Sequence, residues 1–463
     1  MFHSETYKKR REILKKKFSS GLLLFPGNDE TPMNYPANVY PFRQDSSFLY
    51  YWGLDAPGLA AVIDVDNDRE ILFGNDLSVD DIVWMGPQPS VAERATQVGV
   101  THSESVAKLE KRLHDAISSG RRIHFLPQYR GENVKKLAAW LGIRPEFLNR
   151  YASPELRKAV IAQRSIKEEQ EIVEIEKALD ITREMHLQAM KLTKPGKFER
   201  EVSGQVEGIA LSNAGRLSFP IIFSVHGETL HNEFHGNRMR SGDLVVHDAG
   251  AEAPSHYAGD ITRSFPVSGT FSQKQRSIYE LVLKTQLTAI EAIRPGFPYR
   301  DVHLLAAKVM ATGLKELGLM KGDVNEAVAE GAHALFFPHG LGHMMGLDVH
   351  DMEGLGEDWV GYDNEITRSD QFGLAYLRLG KRLKPGYVLT AEPGIYFIPA
   401  LIDQWKAAKK FTDFIDYDRV ETYKDFGGIR IEDDVLVTDN GHRVLGKPIP
   451  KTVEDVEEQM RIS

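Results

Sequence analysis

The pattern of hydrophobic and polar positions divides the chain into two parts. In the first third, short apolar runs at residues 22–25 and 59–65 predict strands, and helical spacing recurs around residues 107–117 and 132–141. Strands and helices that follow one another in this way predict an α/β layer. A length of 463 residues is also too great for one compact core. We therefore predict an N-terminal α/β domain over residues 1–163.

The start of a long helix marks the predicted boundary. Ser165 and Glu168 form the S-x-x-E pattern of a capping box, and apolar residues then recur at helical spacing to about residue 192. The stretch before this helix is polar, as expected of a linker. The second domain is therefore predicted to cover residues 164–463.

The second part becomes rich in strands after Gly242. Two long helical segments begin at Ser272 and near residue 301, and the first of them ends before Pro295. Around them, apolar runs predict strands at residues 243–248, 260–267, 387–397 and 428–438. This order predicts an α+β domain in which helices flank an antiparallel sheet.

Potential metal ligands lie at or beside the ends of these strands: Asp248, Asp260, His343, Glu392 and Glu432. Any one of them has another explanation, since an acid beside glycine is commonly a turn residue and a single histidine commonly belongs to the core. Each acid, however, lies in an apolar context, where a carboxylate is costly unless it is paired or bound to metal. Buried ion pairs are the competing explanation, and only Arg263 and Arg430 are close in sequence.

The chemistry of this ligand set is coherent. Four carboxylates and one imidazole suit Mn²⁺, Co²⁺ or Zn²⁺ better than a soft metal. Four negative charges balance two divalent cations, and two such ions polarise a carbonyl and lower the pKa of a shared water. The set therefore indicates hydrolysis at a two-metal centre.

Histidines form a second group of candidates. His339, His343 and His350 lie close together among glycines, and His231 lies upstream in the segment LHNEFHG. Arg430 precedes Glu432 by two residues, so strand alternation places both on one face. Arg430 could therefore hold metal-bound carboxylates in place, and an ordinary ion pair is the alternative.

Composition narrows the classes of function. The net charge of −9 argues against a nucleic-acid partner, which would favour a clustered basic face. The chain has no cysteine, which excludes disulfides, thiolate metal sites and cysteine nucleophiles. No apolar run approaches the about 20 residues that span a bilayer, so we expect no membrane partner and a cytoplasmic location.

Several segments resemble those of one known family: HDAG (247–250), GDITRSFPV (259–267), HGLGH (339–343), DVHD (348–351), AEPGIYF (391–397) and GIRIEDD (428–434). They are similar to the signature segments of the aminopeptidase P and prolidase family of pita-bread metallopeptidases. Residues 40–54 and 83–87 are similar to the N-terminal domain of that family. The resemblance implies a pita-bread (creatinase/aminopeptidase-like) α+β catalytic domain that cleaves the bond between an N-terminal residue and proline.

The resemblance also implies roles for the metal-binding candidates. Asp248 and Asp260 would bind one ion, while Asp260, Glu392 and Glu432 would extend towards the other. His343 would supply the imidazole ligand. Glu392 would also act as the general base. The family most often uses manganese.

Further roles follow for the histidines outside the metal set. His231 would contact the substrate carbonyl or the tetrahedral intermediate. His350 would lie near the leaving nitrogen or the scissile carbonyl, and His339 would line the proline pocket. The substrates would be small peptides with proline in second position.

The resemblance leaves two activities open. A dipeptidase must bind the free carboxylate of proline, whereas an aminopeptidase needs an open path for a longer chain. Arg378 lies fourteen residues before Glu392 and resembles the arginine that prolidases place there. It would bind the carboxylate with both oxygens, but a solvent-exposed basic residue is the alternative.

Two alternative functions and an oligomeric state also follow from the resemblance. A methionine-type aminopeptidase uses the same ligands, and a pita-bread protein without turnover would only bind a peptide or another partner. The large N-terminal domain argues against the first, and the complete ligand set argues against the second. Family members commonly associate through that domain, which implies a homodimer or homotetramer. Trp84 could then reach a neighbouring site, or it anchors its own domain.

Overall fold

The computed structural model describes residues 2–213 and 215–462. The described chain separates into two compact units. One unit extends to Arg164 and includes Gly354–Gly356, and the other consists of Ser165–Glu353 and the chain from Glu357 onward.

Within the described residues, the first unit contains a mixed five-stranded sheet in the order β4-β3-β2-β1-β5. Its central pairs, β1 with β2 and β2 with β3, are antiparallel, whereas β5 and β4 add in parallel. The strands are β1 (Leu22–Pro26), β2 (Ala60–Asp64), β3 (Arg69–Phe73), β4 (His102–Glu104) and β5 (Ile123–Phe125).

Helices accompany this sheet, and the apolar faces of two of them complete its core. Leu24, Val62 and Phe73 from the strands share one buried cluster with Leu109 and Leu137 from the helices. The helices are α1 (Ser4–Lys15), α2 (Ser46–Trp52), α3 (Val79–Met85), α4 (Val91–Gln97), α5 (Ala107–Ser118), α6 (Gly131–Leu141) and α7 (Pro154–Ser165). The prediction of an N-terminal α/β layer is therefore confirmed.

The second unit is an α+β structure, as predicted. Its described helices are α8 (Glu169–Leu192), α9 (Glu199–Ser212), α10 (Gln273–Ala292), α11 (Tyr299–Glu316), α12 (Val324–Glu330), α13 (Glu357–Gly361), α14 (Pro399–Ala407), α15 (Tyr417–Glu421) and α16 (Val453–Arg461). Its strands are β6 (Arg216–Leu217), β7 (Ile222–Ser224), β8 (Leu244–Ala249), β9 (Ala251–Glu252), β10 (Ile261–Pro266), β11 (Val388–Ala391), β12 (Gly394–Tyr396), β13 (Gly428–Arg430), β14 (Asp433–Val437) and β15 (His442–Val444).

Two antiparallel groups of strands form the framework of the second unit. In the described chain, one sheet has the order β10-β8-β7 and another has the order β11-β14-β15, while β12 pairs with β13. The predicted single strands at residues 387–397 and 428–438 are wrong in one respect, because each is interrupted. Glu392 lies in the first interruption and Glu432 in the second. Both carboxylates therefore lie outside the regular strands.

The beginning of α8 differs from the prediction. Ser165 is the last residue of α7, so it does not cap the next helix. Glu168 is the N-cap instead: its backbone N–H donates to the side chain of Glu171 at 2.9 Å, and the backbone N–H of Glu171 donates to the backbone carbonyl of Glu168. The predicted end of this helix near residue 192 is confirmed.

A buried ion cluster joins β10 and β14 next to Glu432. Asp433 accepts hydrogen bonds from Arg263 at 2.7 Å, from Lys451 at 2.6 Å and from Gln286 at 2.9 Å. Burial alone would raise the pKa of Asp433, but Arg263 and Lys451 lower it to about 2. Arg263 also donates to the backbone carbonyl of Glu432 at 2.7 Å, so the cluster fixes the chain at that residue.

Replacing Asp433 with asparagine is expected to lower the free energy of unfolding by about 3–5 kcal/mol, because Arg263 then keeps a buried, unpaired charge. The depressed pKa means that this contribution is present above the ordinary value of 3.8 and is lost as the pH falls to about 2. Urea unfolding at neutral pH measures the change. Asp425→Asn is the control, since Asp425 is an exposed partner of Lys274. Equal midpoints for both variants would contradict the expectation.

Candidate active site

The predicted site residues line one cavity of about 210 Å³ in the second unit. Its lining includes all of the candidates: His231, Asp248, Asp260, His339, His343, His350, Arg378, Glu392, Arg430 and Glu432. Asp248 lies on β8, and Asp260 immediately precedes β10. Residues that are far apart in sequence therefore meet where the two groups of strands approach each other.

Asp260, His343 and Glu432 form the tightest group. One potential ligand atom of each lies within 4.8 Å of those of the others, and all three residues are buried. The Nε2 atom of His343 is 3.4 Å from Asp260 and 3.5 Å from Glu392. Its Nδ1 lies 3.1 Å from the carbonyl of Met344, to which it donates, so Nε2 is left to bind an ion.

The crowding of carboxylates raises their affinity for protons. Burial, followed by the charge of Asp248, raises the pKa of Asp260 well above its ordinary value, and burial with Asp260 does the same for Glu432. Burial raises the pKa of Glu392 to about 7, although His343 and Arg430 oppose the shift. Bound cations would relieve this repulsion, as protons do.

The donor set fits divalent metal ions. It combines hard carboxylate oxygens with one imidazole nitrogen. In the described part of the chain, the buried Oδ1 atom of Asp248 also has no hydrogen-bond partner, so it is an acceptor that a cation would satisfy. Both observations support the predicted use of these residues as ligands.

Arg430 connects two parts of the site. It donates to Asp248 at 2.6 Å, to the Tyr396 hydroxyl at 2.8 Å and to the Thr262 hydroxyl at 3.1 Å. Thr262 in turn donates to Glu432 at 2.7 Å. Arg430 is buried. Arg430 therefore forms an ion pair that fixes the carboxylate of Asp248, and its role beside metal-bound carboxylates stays a prediction.

The ring of His339 is held at both nitrogens. Its Nδ1 lies 2.8 Å from the Gly340 carbonyl and its Nε2 lies 2.9 Å from the Tyr396 hydroxyl. Because a carbonyl only accepts, Nδ1 donates and Nε2 accepts from Tyr396. Burial lowers the pKa of His339 to about 3, so the ring is neutral. It therefore forms a fixed, uncharged wall of the cavity.

His350 and Arg378 lie together at another part of the wall. The Nδ1 atom of His350 is 2.5 Å from Glu353, and the Nε atom of Arg378 is 3.3 Å from both Glu353 and Glu357. The hydrogen bond from His350 lowers the pKa of Glu353 to about 2. Arg378 is partly exposed and lies in ion pairs with both acids, and its role in binding a substrate carboxylate stays a prediction.

Thr262, Glu353, Glu357 and Tyr396 contact the predicted set but were not themselves predicted from the sequence. Thr262 and Tyr396 lie inside the segments GDITRSFPV and AEPGIYF, so the sequence shows that they belong to these motifs. It does not show which residues they contact. Glu353 follows His350 by three residues, and that spacing is the only local signal of their hydrogen bond. The cavity also has apolar walls from Phe219, Ile222, Leu230, Val349 and Tyr376.

Comparison with known proteins agrees with this geometry. Residues 173–439, which include every residue of the candidate site, match metallopeptidase family M24. The chain belongs to metallopeptidase family M24. Residues 7–124 match the N-terminal domain of aminopeptidase P. The family resemblance, the pita-bread fold and the prediction of a peptidase that uses divalent metal ions are thus confirmed.

Two curated relatives show the level of sequence similarity. Human Xaa-Pro dipeptidase is 32% identical over 453 residues, which cover 95% of this chain and 88% of the relative. The Xaa-Pro aminopeptidase of Escherichia coli K12 is 31% identical over 471 residues, which cover 98% and 97%. The two activities that the sequence left open are therefore represented at nearly equal similarity.

Solved structures of aminopeptidase P match over the whole chain. A variant of Escherichia coli aminopeptidase P in complex with substrate has a TM-score of 0.82 and 29% identity, covering 100% of this chain and 99% of the other. Proline aminopeptidase P II from Yersinia pestis has a TM-score of 0.80 at 29% identity, with 100% of both chains covered. Among the described residues, no helix has the length and apolar character needed to cross a membrane.

Proposed function

We propose that this M24 peptidase hydrolyses the bond between an N-terminal residue and a following proline. The observation that carries the proposal is the meeting of Asp248, Asp260, His343, Glu392 and Glu432 in one cavity beside His231, His339 and His350. Relatives named for both Xaa-Pro activities support the substrate class. The division into domains 1–163 and 164–463 is part of the same proposal.

The proposed cofactor is a pair of divalent metal ions, with manganese preferred over cobalt or zinc. Asp248 and Asp260 would hold one ion, and Asp260, Glu392, Glu432 and His343 would complete the site. When bound, such ions polarise a carbonyl and lower the pKa of a water molecule. The donor chemistry of the cavity supports this assignment.

The side chains of the protein have separate tasks in the proposed reaction. Glu392 takes the proton of the attacking water at a carboxylate oxygen, a role suited to a carboxylate within hydrogen-bond reach of the nucleophile. His231 donates to the substrate carbonyl, and His350 lies near the leaving nitrogen. His339 offers a neutral ring to the proline side chain, and Arg430 holds Asp248 in place.

Arg378 is proposed to bind the free carboxylate of a dipeptide. Its guanidinium lines the cavity, and its Nε atom lies against two acids. The terminal nitrogens form the bidentate edge that a carboxylate would use. A dipeptide would make this contact through the carboxylate of its proline. A longer peptide carries its C-terminal carboxylate on a later residue.

The test compares Ala-Pro, Ala-Pro-Ala and a longer Xaa-Pro peptide with manganese and after chelation. Arg378→Ala is expected to lower kcat/KM for Ala-Pro by about 10- to 100-fold, the cost of a lost hydrogen bond between charged groups. The longer peptide should change by less than about threefold, because its carboxylate lies elsewhere.

The control variant is Arg382→Ala, which removes an exposed arginine paired with Glu365. An equal loss for short and long peptides in Arg378→Ala would remove the proposed role of this residue. Metal-dependent release from Ala-Pro alone would identify a dipeptidase, and release from the longer peptides an aminopeptidase. Failure to cleave any of them would overturn the proposed function. Cleavage of Met-Gly peptides instead would favour a methionine-type enzyme.

We also propose a homodimer or homotetramer in the cytoplasm. Trp84 is 87% exposed on α3, and Val79 and Val83 of the same helix are also exposed. Such an apolar surface supports association, and Trp84 would then lie against a neighbouring subunit. Light scattering from the purified protein measures the number of subunits. The absence of cysteine supports a reducing compartment.

A further inference from the structure

Glu353 lies behind the wall of the cavity. His350 and Arg378 line the 210 Å³ cavity, whereas Glu353 lies outside the set of described residues that line it. Glu353 instead lines a small void of about 10 Å³ together with His350, Arg378 and Glu357. It therefore contacts two residues of the cavity wall from outside the cavity lining, with 40% of its own side chain exposed.

A single oxygen of Glu353 reaches both residues of the wall. Its Oε2 atom is 2.5 Å from Nδ1 of His350 and 3.3 Å from Nε of Arg378. The first contact is a hydrogen bond, while the second is an ion pair without hydrogen-bond alignment. The carboxylate thus joins two groups that come from separate segments of the chain.

The contact with His350 determines how that ring is presented. An ionised carboxylate only accepts, so Nδ1 of His350 carries the hydrogen and Nε2 is left for the cavity. Rotation of the ring would break the 2.5 Å hydrogen bond. The same carboxylate holds the Nε side of Arg378, which leaves the opposite edge of the guanidinium for a ligand.

Glu357 provides an internal comparison. It lies 3.3 Å from Nε of Arg378, the same distance as Glu353. Arg368 holds Glu357 at 2.7 Å, whereas Glu353 accepts from His350. Both acids therefore contact Arg378, but Glu353 also contacts His350 whereas Glu357 also contacts Arg368. Their effects on His350 and Arg378 can therefore be separated.

We propose that Glu353 is a positioning residue, which orients His350 and Arg378 together for the cleavage of Xaa-Pro bonds. This inference rests on the proposed function. The orientation of His350 acts on the reaction step and therefore on kcat, while the orientation of Arg378 acts on the binding of a dipeptide and therefore on KM. Glu357 acts only through Arg378.

The kinetic test uses the metal-loaded enzyme and Ala-Pro. Glu353→Gln is expected to lower kcat by about 10- to 100-fold, the usual cost of losing a group that orients an active-site histidine, and to raise KM. Glu357→Gln should raise KM without a comparable fall in kcat. Circular dichroism checks that both variants fold. Equal kcat values for wild type and Glu353→Gln would overturn the inference.

A double-mutant cycle separates positioning from a general structural role. In the His350→Ala background, Glu353→Gln should lower kcat by less than about twofold further, because the residue through which it acts is missing. A full additional loss in that background would overturn the inference, since Glu353 would then act elsewhere. Glu353→Asp keeps the charge and is expected to restore part of the lost kcat.

A spectroscopic test needs no turnover. In zinc-loaded protein with ¹⁵N-labelled histidine at about pH 8, where an ordinary imidazole is neutral, the His350 signal should report hydrogen on Nδ1. Comparison with His350→Ala assigns the signal, and Glu353→Gln should shift it towards hydrogen on Nε2. Hydrogen on Nε2 in the wild type would overturn the inference. A wild type that cleaves no Xaa-Pro peptide would overturn the proposed function instead, whatever the signal.

Discussion

Glutamine in place of Glu392 is expected to lower kcat for an Xaa-Pro peptide by about 10²- to 10⁴-fold, the contribution of a general base. An amide has nearly the same shape as the carboxylate, but it cannot take the proton of the attacking water. The variant should keep its fold and at least one metal ion, because Asp260, His343 and Glu432 still form a compact ligand group.

Three measurements decide this prediction: kcat with manganese, metal content, and the thermal unfolding midpoint. Glu291→Gln is a suitable control, since it makes the same chemical change at a side chain that is 82% exposed on α10. Wild-type rates in Glu392→Gln would rule out the role as base. A variant that unfolds or loses all metal would contradict the expected separation of this role from structure.

Removal of the metal ions with a chelator is expected to abolish turnover and to destabilise the protein. Binding to the folded chain stabilises it by mass action, by about 2.7 kcal/mol when the free ion is at 100 times its Kd. Without ions, the carboxylates of Asp260, Glu392 and Glu432 repel one another in a buried site. Burial raises the pKa values of all three groups; the charge of Asp248 adds to the shift of Asp260, and the charge of Asp260 adds to the shifts of Glu392 and Glu432.

The raised pKa values predict how the stability of the metal-free protein changes with pH. The pKa of Glu392 rises from 4.5 to about 7, so the folded chain holds more protons than the unfolded chain between these values. The stability of the metal-free protein should therefore fall as the pH rises through this window. Calorimetry at several pH values, with and without manganese, measures the difference. A chelated protein whose stability rises through the same window would contradict the expectation.

The ligand candidates could be found from local sequence because their signal is local. Asp248, Glu392 and Glu432 stand within or beside apolar strands, where a carboxylate without a partner is costly. The same kind of pattern predicted the α/β character of the first unit and the end of α8 near residue 192. The apolar context and the periodicity of a residue depend on its neighbours in the sequence. Any short segment of the chain contains these neighbours.

Contacts between distant segments could not be predicted in this way. Arg430 reaches Asp248 across 182 positions, and Tyr396 joins Arg430 to His339. Strand alternation placed Arg430 and Glu432 on one face, but the packing of β8 beside β13 determines which carboxylate the arginine meets. The interruptions at Glu392 and Glu432 likewise depend on how β12 and β13 pair apart from the β11-β14-β15 sheet.

By itself, the sequence determined the fold class, the family and a small set of candidate residues that line one cavity. Only the tertiary structure decided that His339 is held neutral at both nitrogens, that Asp433 holds Arg263 next to Glu432, and that Glu353 joins His350 to Arg378. The physical reason is that residue type and spacing fix which groups are buried, whereas the partner of a buried polar group depends on which elements pack against it.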